Sequence, residues 1–496
     1  MPSARHNSPV VLALDVGTSS CRASLYDGRG ERVPGSTARQ TYRPHTTPEG
    51  GADVDADTLF DYVCHVVDKV AAKAGKHESL AAVAPTTFWH SLLGVDRDGQ
   101  AITPVYLWMD SRSRKEAQAL KEQLDEAAVH ARTGCMLHST YWPAKLRWLS
   151  QTEPRLFARV HRWISFAEYL ALRVFGEPAA SISMASGTGL LDQHTCEWDE
   201  ELLDALSVKR EQLSPITPLD RQSVEMQAEF ADRWPTLRDV PWLAAVGDGA
   251  TSNVGAGCAN RERFALMVGT SGALRVLFGA KRFSIPQGLW CYRLDGRRIL
   301  LGGALNDGGS LVGWLRRTLK LPPLKKLDEE VTSVAPGGHG LTVLPFWAGE
   351  RSPGWTAGAR GAIVGLRLNT RPAEILRAAL EAIAFRFRLL DETLREAVPE
   401  GKEVIATGGA LYHSPAWVQI IADVLGRPVL ASAEPEASSR GAALVALETL
   451  GLLDEPLEAL RPEAEHVFEP DTDHTETYRA AAERQRRLYD LLVAEN

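Results

Sequence analysis

The sequence predicts an α/β protein made of two related halves. Three observations carry that reading. Apolar strand-like runs alternate with amphipathic helix-like runs, the pattern of sheets covered by helices. The residues Val16, Gly17, Thr18 and Ser19 recur as Val268, Gly269, Thr270 and Ser271 about half the chain later. Each copy follows an apolar strand and leads into a second strand-like run. Finally, 496 residues exceed what one compact core holds, so two or three domains are expected.

The elements follow in order. "VVLALDVGTSSCRASLYDGRG" is a buried strand, a turn rich in hydroxyls, and a second strand ending in a hairpin. Residues 51–57 form a loop before the amphipathic helix "TLFDYVCHVVDKVAAKAG". "LAAVAPTTFWHSLLGVD" is strand, loop, strand, closed by the turn "RDGQ". "DSRSRKEAQALKEQLDEAAVHARTG" is one long helix, with Ser113 at its start and Gly134 as its stop. "AKLRWLSQTEPRLFARV" and "FAEYLALRVFG" are helical, and Lys145 in the first reads as an exposed helix lysine. "PWLAAVGDGATSNVGAGCAN" is an apolar strand, then Gly247, Asp248 and Gly249, then the start of a helix. "RFALMVGTSGALRVLF" repeats the opening theme, and "EVIATGGALYHSPAWVQIIADVLGRPVLAS" is strand, glycine turn, helix, strand. The domain boundary is expected between Asp248 and Arg263, where glycine and alanine are dense.

Composition narrows the function. The net charge is −8 with no long basic run, which argues against nucleic acid as a partner. Six scattered cysteines without a CxxC pair suggest neither a zinc site nor a disulfide framework. The apolar stretch before Asp15 is too short for a signal-peptide core or a membrane span, so the cytoplasm is the expected compartment.

The opening strand ends on Asp15, followed by Gly17, Thr18, Ser19 and Ser20. Such turn residues have an ordinary structural role. They also present N–H and O–H donors that suit phosphate oxygens. The string is not a P-loop, because no GxxxxGK[ST] leads into a helix. Two such turns, one from each half, can close on the phosphates of one nucleotide. Asp15 would then hold Mg²⁺, directly or through water, and Arg22 would reach a phosphate with its planar fork.

Taken together, "DVGTSSCRASLYD", "AVGDGATSNVGAG", "LMVGTSGALRVLF" and "IATGGALYHSPAWVQIIADVLGRPV" resemble the phosphate, catalytic and adenosine motifs of the FGGY carbohydrate kinases. The connecting strings "WMDSRS", "ASGTGLLD", "GERSPGW" and "ARGAIVGL" fall in the same order, so the resemblance spans about residues 10–450. It implies two ribonuclease-H-like domains of the actin-like ATPase type with a cleft between them. The expected units are residues 9–255, 262–450 and a helical tail at 451–496. It also implies ATP-dependent phosphorylation of a sugar, polyol or sugar acid, with ATP and Mg²⁺ as cofactors. Asp248 matches the catalytic aspartate. Thr18, Ser19 and Arg22 match the first phosphate loop, and Gly269, Thr270 and Ser271 the second. Gly309 falls in a nucleotide-contacting stretch, Gly408 and Gly409 in the adenosine turn, and His90, Trp108 and Asp110 in segments that contact the sugar.

The expected partners are therefore the sugar and ATP, without nucleic acid or membrane, and with a homodimer as the candidate assembly. A non-enzymatic actin-like nucleotide-binding protein is the rival from another class, and Asp248 with "FWHS" and "WMDSRS" argues against it. Trp89 stands where relatives often carry Met, and "GADVD" lacks a customary tryptophan near its start. The "GGALYHSPAW" turn is one residue longer than the usual pattern. Ser91 and the "GGALNDGGSLVGWLRR" stretch resemble the gluconokinase forms, so D-gluconate phosphorylated at its primary hydroxyl is the expected reaction. A ketose or polyol is the alternative substrate. A carboxylate entering the cleft needs a donor or cation, and His90, Arg112 and Lys145 are the candidates.

Overall fold

The computed structural model describes residues 9–74, 80–220, 222–223, 225–356, 358–462 and 464–494. Two seven-stranded sheets form its frame. In the first, the order is Gln222–Ser223, Trp242–Leu243, Leu80–Thr87, Val10–Gly17, Ser20–Tyr26, Ala38–Thr41, and Val246–Gly247 also pairs with Leu80–Thr87. Val10–Gly17 runs antiparallel to Ser20–Tyr26 and parallel to Leu80–Thr87. A central strand is covered on both faces, which is why its apolar run is nearly continuous. Leu12, Leu14 and Val16 pack in a core with Leu59, Phe60, Val63, Val67 and Val70 of helix Ala56–Ala74. Those helix residues recur at the three- and four-residue spacing of one buried face. Gly75, the last residue of the expected helix, lies outside the described residues. Val11 and Ala13 face the other way, against Ala442, Ala443, Ala446 and Leu447 of helix Ala437–Thr449. The first strand is thus covered by a helix from the far end of the chain.

The second sheet has the order Trp290–Arg293, Arg298–Leu305, Gly272–Gly279, Arg263–Val268, Glu403–Thr407, Val429–Ser432, Ala464–Phe468. Its centre repeats the first: Arg263–Val268 is antiparallel to the strand after its turn and parallel to Glu403–Thr407. Leu266, Val268 and Val276 share a core with Leu376, Leu380, Ile383 and Phe387 of helix Pro372–Ala397. The repeated Val-Gly-Thr-Ser string therefore marks the same place in two copies of one strand topology.

Helix Asp248–Gly255 closes the first half and lies against helix Ala437–Thr449. Glycines allow this contact. A Cβ on Gly255 would overlap the Ala437 carbonyl, and one on Gly441 would overlap the Thr251 carbonyl.

Two expectations change. The long helix after Ser113 is two helices, Arg114–Gln123 and Glu126–Thr133. Asp125 breaks it, because its carboxylate accepts the N–H groups of Ala127 (3.0 Å) and Ala128 (3.1 Å) and so starts a new helix. Ser113 makes no capping hydrogen bond, whereas Gly134 stops the second helix at φ 68°. The C-terminal segment is not purely helical. Ala464–Phe468 pairs antiparallel with Val429–Ser432 at the edge of the second sheet, before helix Thr475–Tyr489. Pro462 and Pro470 bracket those five residues, which leaves no room for a helix. Residues 463, 495 and 496 of this segment lie outside the described residues. Among the described residues no helix is long and apolar enough to cross a membrane.

Candidate active site

The two hairpin turns meet across one cleft of about 570 Å³. Thr18 and Ser19 line it from the first sheet, Thr270 and Ser271 from the second. The turns differ by one residue: Gly17 pairs with Ser20 in the first, Val268 with Gly272 in the second. The longer turn is braced. The Gly309 N–H donates to the Gly269 carbonyl (2.8 Å) and the Ser310 N–H to the Thr270 carbonyl (3.0 Å). Helix Gly309–Thr318 is seated on the turn by these bonds, and a Cβ on Gly309 would crowd the Gly269 oxygen. Gly408 also lines the cleft, at φ 99°, where any Cβ would overlap the backbone of Val268.

Four carboxylates line this space, Asp15, Asp248, Glu434 and Glu436, and the two aspartates come from the first half of the chain. Val246–Gly247 pairs with Thr86 and Thr87 and delivers Asp248 at the first turn of its helix. The Thr86 hydroxyl fixes that strand by donating to the Val246 carbonyl (2.9 Å). Burial pushes the Asp248 pKa up to about 6, and the Asp15 charge adds to the rise, while Arg275 and the Gly249 N–H oppose it. Asp15 is 6% exposed, and its pKa too is raised by burial, against the pull of Arg22, Ser439 and Arg39. Arg22 lies opposite Asp15 in the strand register, its Nε 3.7 Å from Oδ2, and also contacts Glu436 at the start of helix Ala437–Thr449. The Ser439 hydroxyl donates to Asp15 (3.2 Å). The second half of the chain thus grips the two strands that flank the first turn directly.

This donor set suits Mg²⁺. It is all oxygen, and no cluster of three or more metal-binding side chains occurs among the described residues. Mg²⁺ typically takes one or two carboxylates and completes its shell with phosphate oxygens and water.

Beyond the carboxylates the wall is aromatic. The Trp89, His90, Tyr292 and Trp290 rings form a connected cluster in the cleft, in which Trp290 and Tyr292 stack and His90 meets Tyr292 edge-on. His90 sits at φ 67°, an unusual conformation for a non-glycine residue and one found at functional sites. Its Nδ1 contacts the Gly187 carbonyl, which can only accept, so Nδ1 carries the proton and Nε2 is left as an acceptor. Burial lowers the His90 pKa to about 3, so the ring is neutral. The Trp108 indole N–H donates to the Thr18 hydroxyl (3.2 Å), and the Arg351 guanidinium lies 4.7 Å above the Trp108 ring.

Comparison with known proteins decides the family. Residues 10–255 match the N-terminal domain of the FGGY family of carbohydrate kinases, and residues 265–449 match its C-terminal domain. The chain belongs to the FGGY carbohydrate kinases. A gluconokinase of Bacillus subtilis (strain 168) is 26% identical over 455 residues, covering 90% of this chain and 88% of the relative. The crystal structure of a gluconate kinase from Lactobacillus acidophilus superposes with a TM-score of 0.89 at 28% identity, covering 98% of each chain. A ligand-bound xylulose kinase structure from Lactobacillus acidophilus does so with a TM-score of 0.90, at the same identity and coverage. The chain is an ATP-dependent sugar kinase, and its two-domain α/β fold is that of the family.

Within this FGGY kinase the residues singled out from sequence divide into two groups. Asp15, Thr18, Ser19, Arg22, His90, Trp108, Asp248, Thr270, Ser271 and Gly408 line the cleft together. Gly269 and Gly309 brace the second turn from behind, and Gly409 opens the short helix Gly409–Tyr412 beside it. Asp110 does not reach the cleft lining. It is 2% exposed and accepts the Ala52 N–H (3.0 Å), the Arg112 N–H (3.1 Å) and the Arg112 guanidinium. It therefore ties its loop to strand Ala52–Val54. Arg112 is held in turn by Asp110 and Asp53, over the Trp148 ring. Lys145 is buried, not exposed. Its ammonium donates to the carbonyls of Ser139 (2.7 Å) and Thr140 (2.5 Å), and burial lowers its pKa to about 7. Ser91 is buried as well, its hydroxyl accepting the Phe166 N–H (3.1 Å), so it makes a helix-end contact. Two arginines of the cleft escaped the sequence reading: Arg275, whose charge acts on Asp248, and Arg351. The available signal was a lone arginine inside the apolar run "GALRVLF" and another in "GERSPGW".

Proposed function

We propose that this kinase transfers the γ-phosphoryl group of ATP to the primary hydroxyl of D-gluconate, giving 6-phosphogluconate. The observation that carries the reaction is the meeting of two hydroxyl-rich turns across one cleft that Asp248 and the aromatic wall also line. Phosphoryl transfer asks for positioning and charge stabilisation more than covalent chemistry. In this reading Thr18 and Ser19 hold the phosphate chain from one sheet, and Thr270 and Ser271 hold it from the other. Asp15 would hold Mg²⁺, directly or through water, which would neutralise charge on the phosphoryl oxygens. Asp248 orients the sugar hydroxyl and accepts its proton. A carboxylate with a pKa about 6 is a better acceptor than an ordinary one, yet far weaker than an alkoxide. The proton therefore leaves late, once the new O–P bond has begun to form. Arg275 opposes the rise in the Asp248 pKa, and Trp89, His90 and Trp108 shape the sugar's place. Closing of the cleft excludes water, which would otherwise compete as acceptor.

Gluconate is supported by the gluconokinase and gluconate kinase relatives. A ketose is the second reading, favoured by the similarity to the xylulose kinase structure. A kinase assay on gluconate, xylulose, ribulose, glycerol and erythritol tests the choice. Gluconate is expected to give the highest kcat/KM. A neutral sugar preferred by about tenfold, or roughly 1.4 kcal/mol in transition-state binding, overturns gluconate and leaves the kinase.

A further inference from the structure

We propose that Trp89 is a positioning residue for Asp248, its indole wedged against the backbone on both sides of that aspartate so that the carboxylate is held in one place. The proposal rests on the reading of Asp248 as the proton acceptor and adds what holds it there. The strand register brings the two together. Thr87, the last residue of strand Leu80–Thr87, pairs with Gly247, so Trp89 leaves that strand beside the start of the helix that carries Asp248. Glycines make room for the ring. A Cβ on Gly247 would overlap its Cε2, and one on Gly249 would come within 2.7 Å of its Cζ3. The six-membered ring therefore spans the two residues that flank Asp248. On the pyrrole side, a Cβ on Gly187 would come within 2.5 Å of Cδ1. Trp89 and Asp248 line the same cleft.

The indole is itself fixed by more than packing. Its N–H donates to the Ser183 carbonyl (2.9 Å), and the Ser183 hydroxyl accepts the Gly247 N–H (3.1 Å). One residue of helix Ile182–Ser186 thus ties Trp89 to the step before Asp248. From the second sheet, the Tyr292 ring meets the indole with centroids 4.8 Å apart, and the Tyr292 hydroxyl bonds the Tyr141 hydroxyl (2.7 Å). Gly249 is also close to the second sheet, since a Cβ there would come within 2.6 Å of Arg275 Nη1. A Gly-Asp-Gly step has more backbone freedom than any other neighbours would give the aspartate. It carries no side chain of its own to steady it on either side. The rigid ring supplies that support from outside, and a smaller or more flexible side chain leaves a void there. The consequence is large, because a reacting group misplaced by about 1 Å costs on the order of 100-fold in rate.

The test is a double-mutant cycle, run with whichever sugar of the panel above gives the highest kcat/KM. Trp89→Met and Trp89→Phe are each made in wild type and in Asp248→Asn, and kcat and the KM values for sugar and ATP are measured separately. Circular dichroism and equilibrium ATP binding show that each variant is folded. Trp89→Met is expected to lower kcat by about tenfold to 100-fold with the KM for ATP changed by about twofold or less. Trp89→Phe, which keeps an aromatic ring and loses the bond to Ser183, should lose less, and it carries the comparison where Trp89→Met does not fold. In the Asp248→Asn background either change should lower kcat further by only about twofold or less, because the carboxylate that Trp89 holds is gone. Equal losses in both backgrounds overturn the proposal, because Trp89 would then act on something other than Asp248. So does unchanged kcat in a folded variant, or a loss confined to the KM for sugar, which would make Trp89 a wall of the sugar's place alone. Near-wild-type turnover in Asp248→Asn by itself removes the reading of Asp248 and this inference with it, and that result shows before any Trp89 variant is made.

Discussion

Asp248→Asn lowers kcat by about 10²- to 10⁴-fold, the usual range for loss of a general base, and leaves ATP binding in place. The asparagine keeps the shape and cannot accept the proton. The wild-type pH profile should agree. Only the carboxylate accepts the proton, so kcat/KM rises with pH through about 6, above the ordinary aspartate range. The residual activity of the variant lacks that inflection. Stability moves the other way. Between the ordinary value and about 6 the folded chain holds a proton that the unfolded chain has released. Folding stability from this group therefore falls as pH rises through that window, and the full penalty is present above it. Asp248→Asn removes the penalty, so its Tm at pH 7.5 should equal or exceed that of wild type. Single-turnover kinetics, a pH series and thermal melts check the three parts. Near-wild-type turnover in the variant would eliminate Asp248 as the base.

Gly441→Val unfolds or severely destabilises the protein, at a cost of roughly 3 kcal/mol or more, the upper range for overpacking a tight contact. The new side chain meets the Thr251 carbonyl, which is backbone and has no rotamer to yield. Thr251 sits one turn after Asp248, and its hydroxyl bonds the Asp248 carbonyl (3.1 Å) and the Thr86 hydroxyl (2.9 Å). Pushing it away moves the helix that presents Asp248. Gly279→Ala is the control, because a Cβ there meets nothing within 4 Å. Thermal melts should show a large drop for Gly441→Val and almost none for Gly279→Ala. A Gly441→Val melt that matches the control would mean the two helices can separate without consequence.

The parts of this architecture that local chemistry determines were legible in the chain. Val-Gly-Thr-Ser occurs twice because two strands end in the same kind of turn, and both turns face the cleft. Asp248 was legible because a strand, a Gly-Asp-Gly step and a small-residue helix are contiguous. What distant partners determine was not. Lys145 looks like a surface lysine because its acceptors are the backbone carbonyls of Ser139 and Thr140, which leave no trace in the side-chain pattern. Arg351 reaches the cleft over the Trp108 ring, a partner far away in sequence. Asp110 shares the "WMDSRS" string with Trp108, yet folding turns one side chain to the cleft and the other to Ala52. The segment of helix Ala437–Thr449 drew no reading from sequence, and only the fold shows it covering the first strand and holding Asp15 through Ser439. The break at Asp125 had a signal, an Asp-Glu step before two alanines, which the surrounding helix-forming residues masked.

The central claim is that the two turns close on one phosphate chain while Asp248 addresses the acceptor hydroxyl. The most direct measurement is a crystal structure of the enzyme with a non-hydrolysable ATP analogue, Mg²⁺ and gluconate. The γ-phosphate should sit between Thr18 and Ser19 on one side and Thr270 and Ser271 on the other, with the primary hydroxyl of gluconate within hydrogen-bond reach of Asp248. A γ-phosphate seated away from either turn, or a sugar whose hydroxyls all lie beyond reach of Asp248, would contradict the account.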